Sequence, residues 1–237
     1  MPGYQTKQER IAVAGVEALV IRSLLDRQQF HDPLGDAARQ GISSATWPLF
    51  GLVWPSGALL AARLALRPVR AGERILEIGC GLGLASLVAH RRGADVTASD
   101  NHPLAQAFML ENLRLNALAP MKYRHGAWSD AAPQLRGRTA TGTARIVRGR
   151  FDLLIGSDLL YERDEAGLLA GFIARHAKPG AEVWIVDPDR GNRSSFHRRM
   201  AANGFALREE RLDRAASPGL ASYKGRLLIY RAAAPLQ

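Results

Sequence analysis

Arg74 to Asp100 reads RILEIGCGLGLASLVAHRRGADVTASD. Ile75-Leu76-Glu77-Ile78 is a short apolar run of the kind that forms a buried parallel strand. Glycines at 79, 81 and 83 follow at once, and Leu84 to Arg92 then carries apolar residues at helical spacing. A second strand is predicted from Asp95 to Ala98, with Asp100 just beyond it. A strand, a glycine turn, a helix, a strand and an acid form the first half of a nucleotide-binding α/β fold. Glycine lets a ligand lie against the backbone and supplies positive φ in a tight turn. An acid about 20 residues past the first glycine reaches ribose hydroxyls. Asp100 stands at that distance from Gly79.

A dinucleotide fingerprint, G-x-G-x-x-G, needs a glycine at 84, where this chain has Leu84. The string present is E-x-G-x-G-x-G, from Glu77 to Gly83. It resembles motif I of the class I S-adenosylmethionine (SAM) methyltransferases.

The rest of the chain extends that unit. Alternating, β-branched-rich stretches around Ala14-Gly15, within residues 9–25, predict a hairpin. Residues 26–44 read as an irregular connection. Trp47-Pro48 and Trp54-Pro55 precede a helix predicted over Ser56 to Leu66, with Ser56 as its candidate cap. Further helices are predicted over Pro103–Asn116, Glu165–His176 and Ser194–Asn203. Further strands are predicted over Met121–His125, Phe151–Ser157 and Ala181–Val186. Phe205–Leu212 and Arg226–Arg231 are expected to close the sheet as an antiparallel pair. Residues 129–149 lack periodicity and read as a loop with some hairpin character. The fold class is therefore α/β, a doubly wound, mostly parallel sheet of seven strands with an N-terminal hairpin and helix extension. The expected division is 1–45 for the extension and 46–237 for the main domain. In such sheets ligands bind beyond the carboxyl ends of the strands, and the glycine turn, Asp100, Trp128, Asp158 and Asp187 all fall there.

Composition narrows the classes. The 237 residues are 47% hydrophobic, enough for a substantial core. No run approaches 18 apolar residues by this reading, so no membrane span is expected. The N-terminus lacks an apolar signal core, so a cytoplasmic protein is expected. The single cysteine, Cys80, excludes an internal disulfide and a cysteine-based metal cluster, and no histidine spacing suggests a metal. Net charge is +10, but arginine carries nearly all of it along the whole chain, which disfavours a nucleic-acid stripe. The local cluster Arg136, Arg138, Arg145, Arg148 and Arg150 reads as a solvated loop ahead of a patch for an acidic partner.

Trp54-Pro55-Ser56-Gly57, motif I, Asp100, Trp128 and Ser157-Asp158-Leu159-Leu160-Tyr161 together resemble the family 16 protein methyltransferases. That family has many lysine methyltransferases with a D-x-x-Y signature after strand four. One member also shares W-x-x-x-x-x-x-W-P, matched by Trp47 and Trp54-Pro55, and D-P-x-R, matched by Asp187 to Arg190. The resemblance implies SAM as cofactor, S-adenosylhomocysteine as its product and a protein lysine as acceptor. It implies that Glu77, Gly79, Cys80, Gly81 and Gly83 hold SAM together with Asp100 and Asn101. Trp54, Trp128 and Ser157 complete that set, while Asp158 and Tyr161 face the amine, Asp158 orienting it. An acid or amide that often reads the adenine is absent near Gly126-Ala127-Trp128, leaving Trp128 and backbone groups to do so. Methylation of RNA or of a small-molecule amine, and a non-catalytic SAM-binding assembly factor, stay open as alternatives.

Overall fold

The computed structural model describes residues 3–128, 137–139, 142–161, 164, 166–216 and 221–233. Its main sheet is built from β3 (Arg74–Ile78), β4 (Asp95–Asp100), β5 (Lys122–His125), β8 (Phe151–Ser157), β9 (Ala177–Asp187), β10 (Phe205–Arg211) and β11 (Arg226–Ala232). The strand order is β10-β11-β9-β8-β3-β4-β5. Neighbours from β5 to β9 pair in parallel, and β11 runs antiparallel to both β9 and β10. The direction of winding reverses between β3 and β8, which is where a doubly wound sheet opens a crevice.

Strand alternation distributes the core onto two faces. Ile75, Leu153, Ile155, Trp184 and Val186 point into one apolar cluster, and Leu76, Ile78, Leu154, Val183 and Ile185 into the other. Helices α1 (Pro55–Leu66), α2 (Leu84–Arg91) and α3 (Ala105–Leu115) cover the first face. Helices α4 (Leu168–His176) and α5 (Arg193–Ala202) cover the second. Each fully buried Leu, Ile or Val contributes about 1.5–3 kcal/mol relative to exposure.

The hairpin of β1 (Thr6–Val13) and β2 (Val16–Leu24) turns at Ala14-Gly15. Leu19, Ile21 and Leu24 join the first apolar cluster. The outer edge of β2 finds partners on a helix: Val20 N–H donates to Asn116 Oδ1 and Arg22 N–H to Asn112 Oδ1, both at 2.8 Å. The helical part of the extension is one 3₁₀ turn, Ala38–Gln40. Within residues 129–149, β6 (Gly137–Thr139) and β7 (Gly142–Ala144) pair antiparallel, so the hairpin character is real. Arg136 lies outside the described residues, while Arg145, Arg148 and Arg150 are exposed.

Three local expectations are corrected. Ser56 does not cap α1: Trp54 occupies the N-cap and Pro55 the first turn, where its missing N–H costs nothing. The Ser56 hydroxyl instead meets the Tyr223 hydroxyl at 3.0 Å, both buried. Helix α4 starts at Leu168; the Asp164 carboxylate accepts the N–H groups of Leu168 and Leu169 at 2.8 and 2.9 Å. Glu165 lies outside the described residues. A stretch long and apolar enough to cross a bilayer does exist, Trp47–Leu66, with mean hydropathy 1.6 over 20 residues. Here it is a 3₁₀ turn (Trp47–Gly51), an extended link and α1, with Trp47, Phe50, Leu60, Ala61 and Leu64 buried in the core.

Candidate functional site

The strand ends surround a cavity of about 760 Å³. All twelve candidate residues border it: Trp54, Glu77, Gly79, Cys80, Gly81, Gly83, Asp100, Asn101, Trp128, Ser157, Asp158 and Tyr161. Their local structures differ in kind.

The turn after β3 closes with Gly83 N–H on the Cys80 carbonyl at 2.7 Å, and Cys80 N–H on the Ser99 carbonyl at 2.9 Å. Gly81 sits at φ 51°, and a Cβ there would stand 2.7 Å from the Phe50 carbonyl oxygen. Glycine is thus demanded by the Trp47–Gly51 turn lying across it as well as by the backbone conformation. Asp100 is buried at the mouth of this turn. Its Oδ2 accepts Gly81 N–H at 2.8 Å and its Oδ1 accepts His102 N–H at 2.7 Å. Burial pushes its carboxyl up, and the backbone N–H groups of His102, Gly81 and Asn101 pull it back. Each oxygen keeps a second lone pair for a ligand hydroxyl.

Glu77 is more deeply set, and one of its oxygens accepts both the N–H and the hydroxyl of Ser86 at the start of α2. Burial raises its carboxyl from 4.5 to about 7 against those two bonds. The folded state therefore binds the proton more tightly than the unfolded chain. This stabilisation is complete below pH 4.5 and is lost as pH rises through 7. Glu77→Gln keeps an acceptor oxygen and cannot ionise. Between pH 5 and pH 8, denaturant unfolding is expected to show the wild type losing about 2.5 kcal/mol relative to this variant. Parallel pH dependences of the two proteins would refute the assignment.

Other residues expected to meet a cofactor are held by single contacts. The Trp54 indole N–H donates to the Leu49 carbonyl at 2.9 Å, and Asn101 Nδ2 to the Gln40 carbonyl at 3.3 Å. Half-buried Trp128 has its carbonyl on Arg175 at 2.9 Å. Cys80 is buried, and its thiol is pushed up by burial, which suits a filler. Trp47, by contrast, is core, packed edge-on to Phe50 and His102.

At the end of β8, Asp158 adopts φ 56°, a left-handed conformation that Asp tolerates better than most residues. Its Oδ1 pairs with Arg190 at 3.0 Å; its Oδ2 is buried with no partner. Burial raises this carboxyl, opposed by the Ser56 hydroxyl and Arg190. Tyr161 stands three residues on and is 46% exposed. The sequence reading omitted several residues of this wall. Arg190 was visible only as the last letter of D-P-x-R. His125, at the end of β5, borders the cavity beside His102, and neither Arg27 nor Gln40 of the extension carries a motif.

SAM carries hydroxyls, amino groups and a carboxylate, and the cavity wall fits such a ligand. Buried side-chain atoms without a partner include Gln40 Oε1, His102 Nε2, His125 Nδ1 and Asp158 Oδ2, each on a residue that borders the cavity. Leaving such an atom unpaired costs about 1–3 kcal/mol. His102 is stacked on Phe50 with ring centroids 3.7 Å apart, and burial lowers it from 6.5 to about 3, so it is a neutral acceptor or donor.

Known proteins share these features. A family model described as lysine methyltransferase matches residues 49–202. The electron transfer flavoprotein beta subunit lysine methyltransferase of Xenopus laevis is 33% identical over 152 residues, 62% of this chain and 55% of that protein. The calmodulin-lysine N-methyltransferase of Arabidopsis thaliana is 30% identical over 149 residues, 60% of this chain and 47% of that protein. The chain thus spans about half the length of these relatives. Among solved structures, a methyltransferase from Pyrococcus furiosus superposes with a TM-score of 0.55 at 17% identity, covering 76% of this chain and 85% of that one.

Proposed function

Because the chain belongs to the lysine methyltransferase family, we propose that it binds SAM and transfers the methyl group to the side-chain amine of a lysine in a protein. When bound, SAM supplies an electrophilic methyl on a sulfonium. The chain's own work is then to bind, to align and to keep water out. Asp100 accepts ribose hydroxyls, and the turn from Gly79 to Gly83 forms the wall against the cofactor. Trp54, Asn101, Trp128 and Ser157 bound the same side. Asp158 accepts a hydrogen bond from the acceptor amine and directs its lone pair, and the Tyr161 ring walls the channel. The N-terminal extension completes the acceptor side, supported by Arg27 bordering the cavity.

The observation that carries this reading is Asp158, a half-buried carboxylate with one oxygen on Arg190 and the other, faced by the Ser56 hydroxyl, buried without a close hydrogen bond, in the same cavity as Asp100 and the glycine turn. The test is incubation of the protein with methyl-labelled SAM and a cell lysate, followed by a denaturing gel and hydrolysis of any labelled band. Methyl-lysine in a discrete protein, absent with Asp158→Asn, is expected. Label confined to RNA or small molecules would overturn the acceptor assignment.

A further inference from the structure

At the carboxyl ends of β8 and β9, two carboxylates lie around Arg190, one on its guanidinium and the other on its backbone amide and within reach of its charge. Asp158 Oδ1 pairs with Arg190 at 3.0 Å, and Arg190 also reaches the Asp158 carbonyl at 3.3 Å. Asp187 is fully buried; its Oδ1 accepts the Arg190 backbone N–H at 2.9 Å, and its Oδ2 has no partner. The other groups facing the pair are neutral or already balanced. The Ser56 hydroxyl of α1 faces Asp158, and the Tyr223 hydroxyl bonded to Ser56 feels both carboxylates. Arg193 of α5, whose charge also reaches Asp187, is ion-paired with Asp189; Asp189 is shared with Arg211 and Arg226, which pair in turn with Asp213 and Glu209, so that network is balanced within itself. With both aspartates ionised, this buried wall holds one negative charge more than Arg190 can balance. An unpaired buried charge is costly, and such a site takes up a cation or a proton.

We propose that Asp158 and Asp187 act as a pair that takes one proton from the acceptor ammonium, with Arg190 as their standing counter-ion; this rests on the lysine reading above. One N–H bond of the ammonium breaks and one O–H bond forms on the Asp158 carboxylate. The electron pair left on nitrogen is the nucleophile. Before the step, two carboxylates face a guanidinium and an ammonium; after it, one carboxylate faces the guanidinium. Both states are balanced. Asp158 alone would lose its pairing with Arg190 on taking the proton and leave that cation uncompensated. Asp187, a positioning residue with no contact to the acceptor, removes that obstacle. Burial raises both carboxyls, and the charge of Asp158 raises Asp187 further.

The test uses Asp187→Asn, which keeps an oxygen for the Arg190 N–H. Carbon-detected NMR of aspartate carboxyls in the wild type, without acceptor, should show one group titrating well above the ordinary aspartate range. That titration should be absent in Asp187→Asn and in Asp158→Asn. In single-turnover transfer to a lysine peptide, Asp187→Asn should be slower by roughly tenfold at neutral pH. The deficit should close toward pH 11, where most of the amine, with a pKa of about 10.4, arrives already neutral. Ordinary titration of both carboxyls would overturn the proposal, as would a deficit that is the same at every pH. If no lysine accepts a methyl, the function falls and with it the ammonium as proton source, while the titration still decides whether the two carboxyls share a proton.

Discussion

Asp100→Ala is expected to weaken SAM binding by roughly 10²–10⁴-fold, because each hydrogen bond to a charged group contributes about 1.5–3 kcal/mol and two ribose hydroxyls lose their acceptor. A second loss accompanies it. The same carboxylate ties Gly81 N–H on the turn to His102 N–H beyond β4. Without it, two amides in a buried setting lose their partner, at about 1–3 kcal/mol of stability each. Titration calorimetry with SAM reads the first effect and denaturant unfolding the second. A folded Asp100→Ala protein that binds SAM within threefold of wild type would remove Asp100 from the cofactor site.

Asp158→Asn is expected to lower the rate of methyl transfer by roughly 10²–10⁴-fold, the range for a positioned acid or base. The SAM dissociation constant should stay within about threefold, as no SAM contact is assigned to this side chain. Asparagine is the informative replacement. It accepts the left-handed backbone that Asp158 occupies, whereas alanine would add strain of order 1 kcal/mol and blur the comparison. Single-turnover transfer and calorimetry on the same preparation separate the two quantities. Full turnover by this variant would mean that the amine is directed by another group.

The sheet and the glycine-turn side of the cavity were legible because their signals are local. A strand, three glycines, a helix and an acid lie within 27 consecutive residues, and the backbone that joins them leaves little freedom in how they meet. The acceptor side is assembled from distant parts of the chain, and its key relations have no local pattern. Ser56 looked like a cap because serine before an apolar run usually is one; Pro55 made that service unnecessary, and Tyr223, 167 residues away, claimed the hydroxyl. The start of α4 was drawn too early because a carboxylate reaching forward from Asp164 looks in sequence like the helix itself. The pairing of Asp158 with Arg190 depends on β8 and β9 being neighbours in register, with Ser157 opposite Val186. His125 escaped notice because a histidine ending a strand has no spacing partner; only its position opposite Asp100 on β4 places it at the cavity.

Asn112 connects the cofactor turn to the N-terminal hairpin through a single side chain. Its amide nitrogen donates to the Leu82 carbonyl between Gly81 and Gly83, and its oxygen takes the Arg22 N–H of β2. Met109, less than one turn earlier on α3, fills the space that a Cβ on Gly83 would need. The helix therefore behaves as a strut with one foot on the glycine turn and the other on the hairpin. A chain trimmed of its first 25 residues would keep every glycine and Asp100, yet lose the surface against which the turn is braced. Sequence variation in the hairpin, far from any motif, is thus expected to act on how firmly the proposed cofactor is gripped.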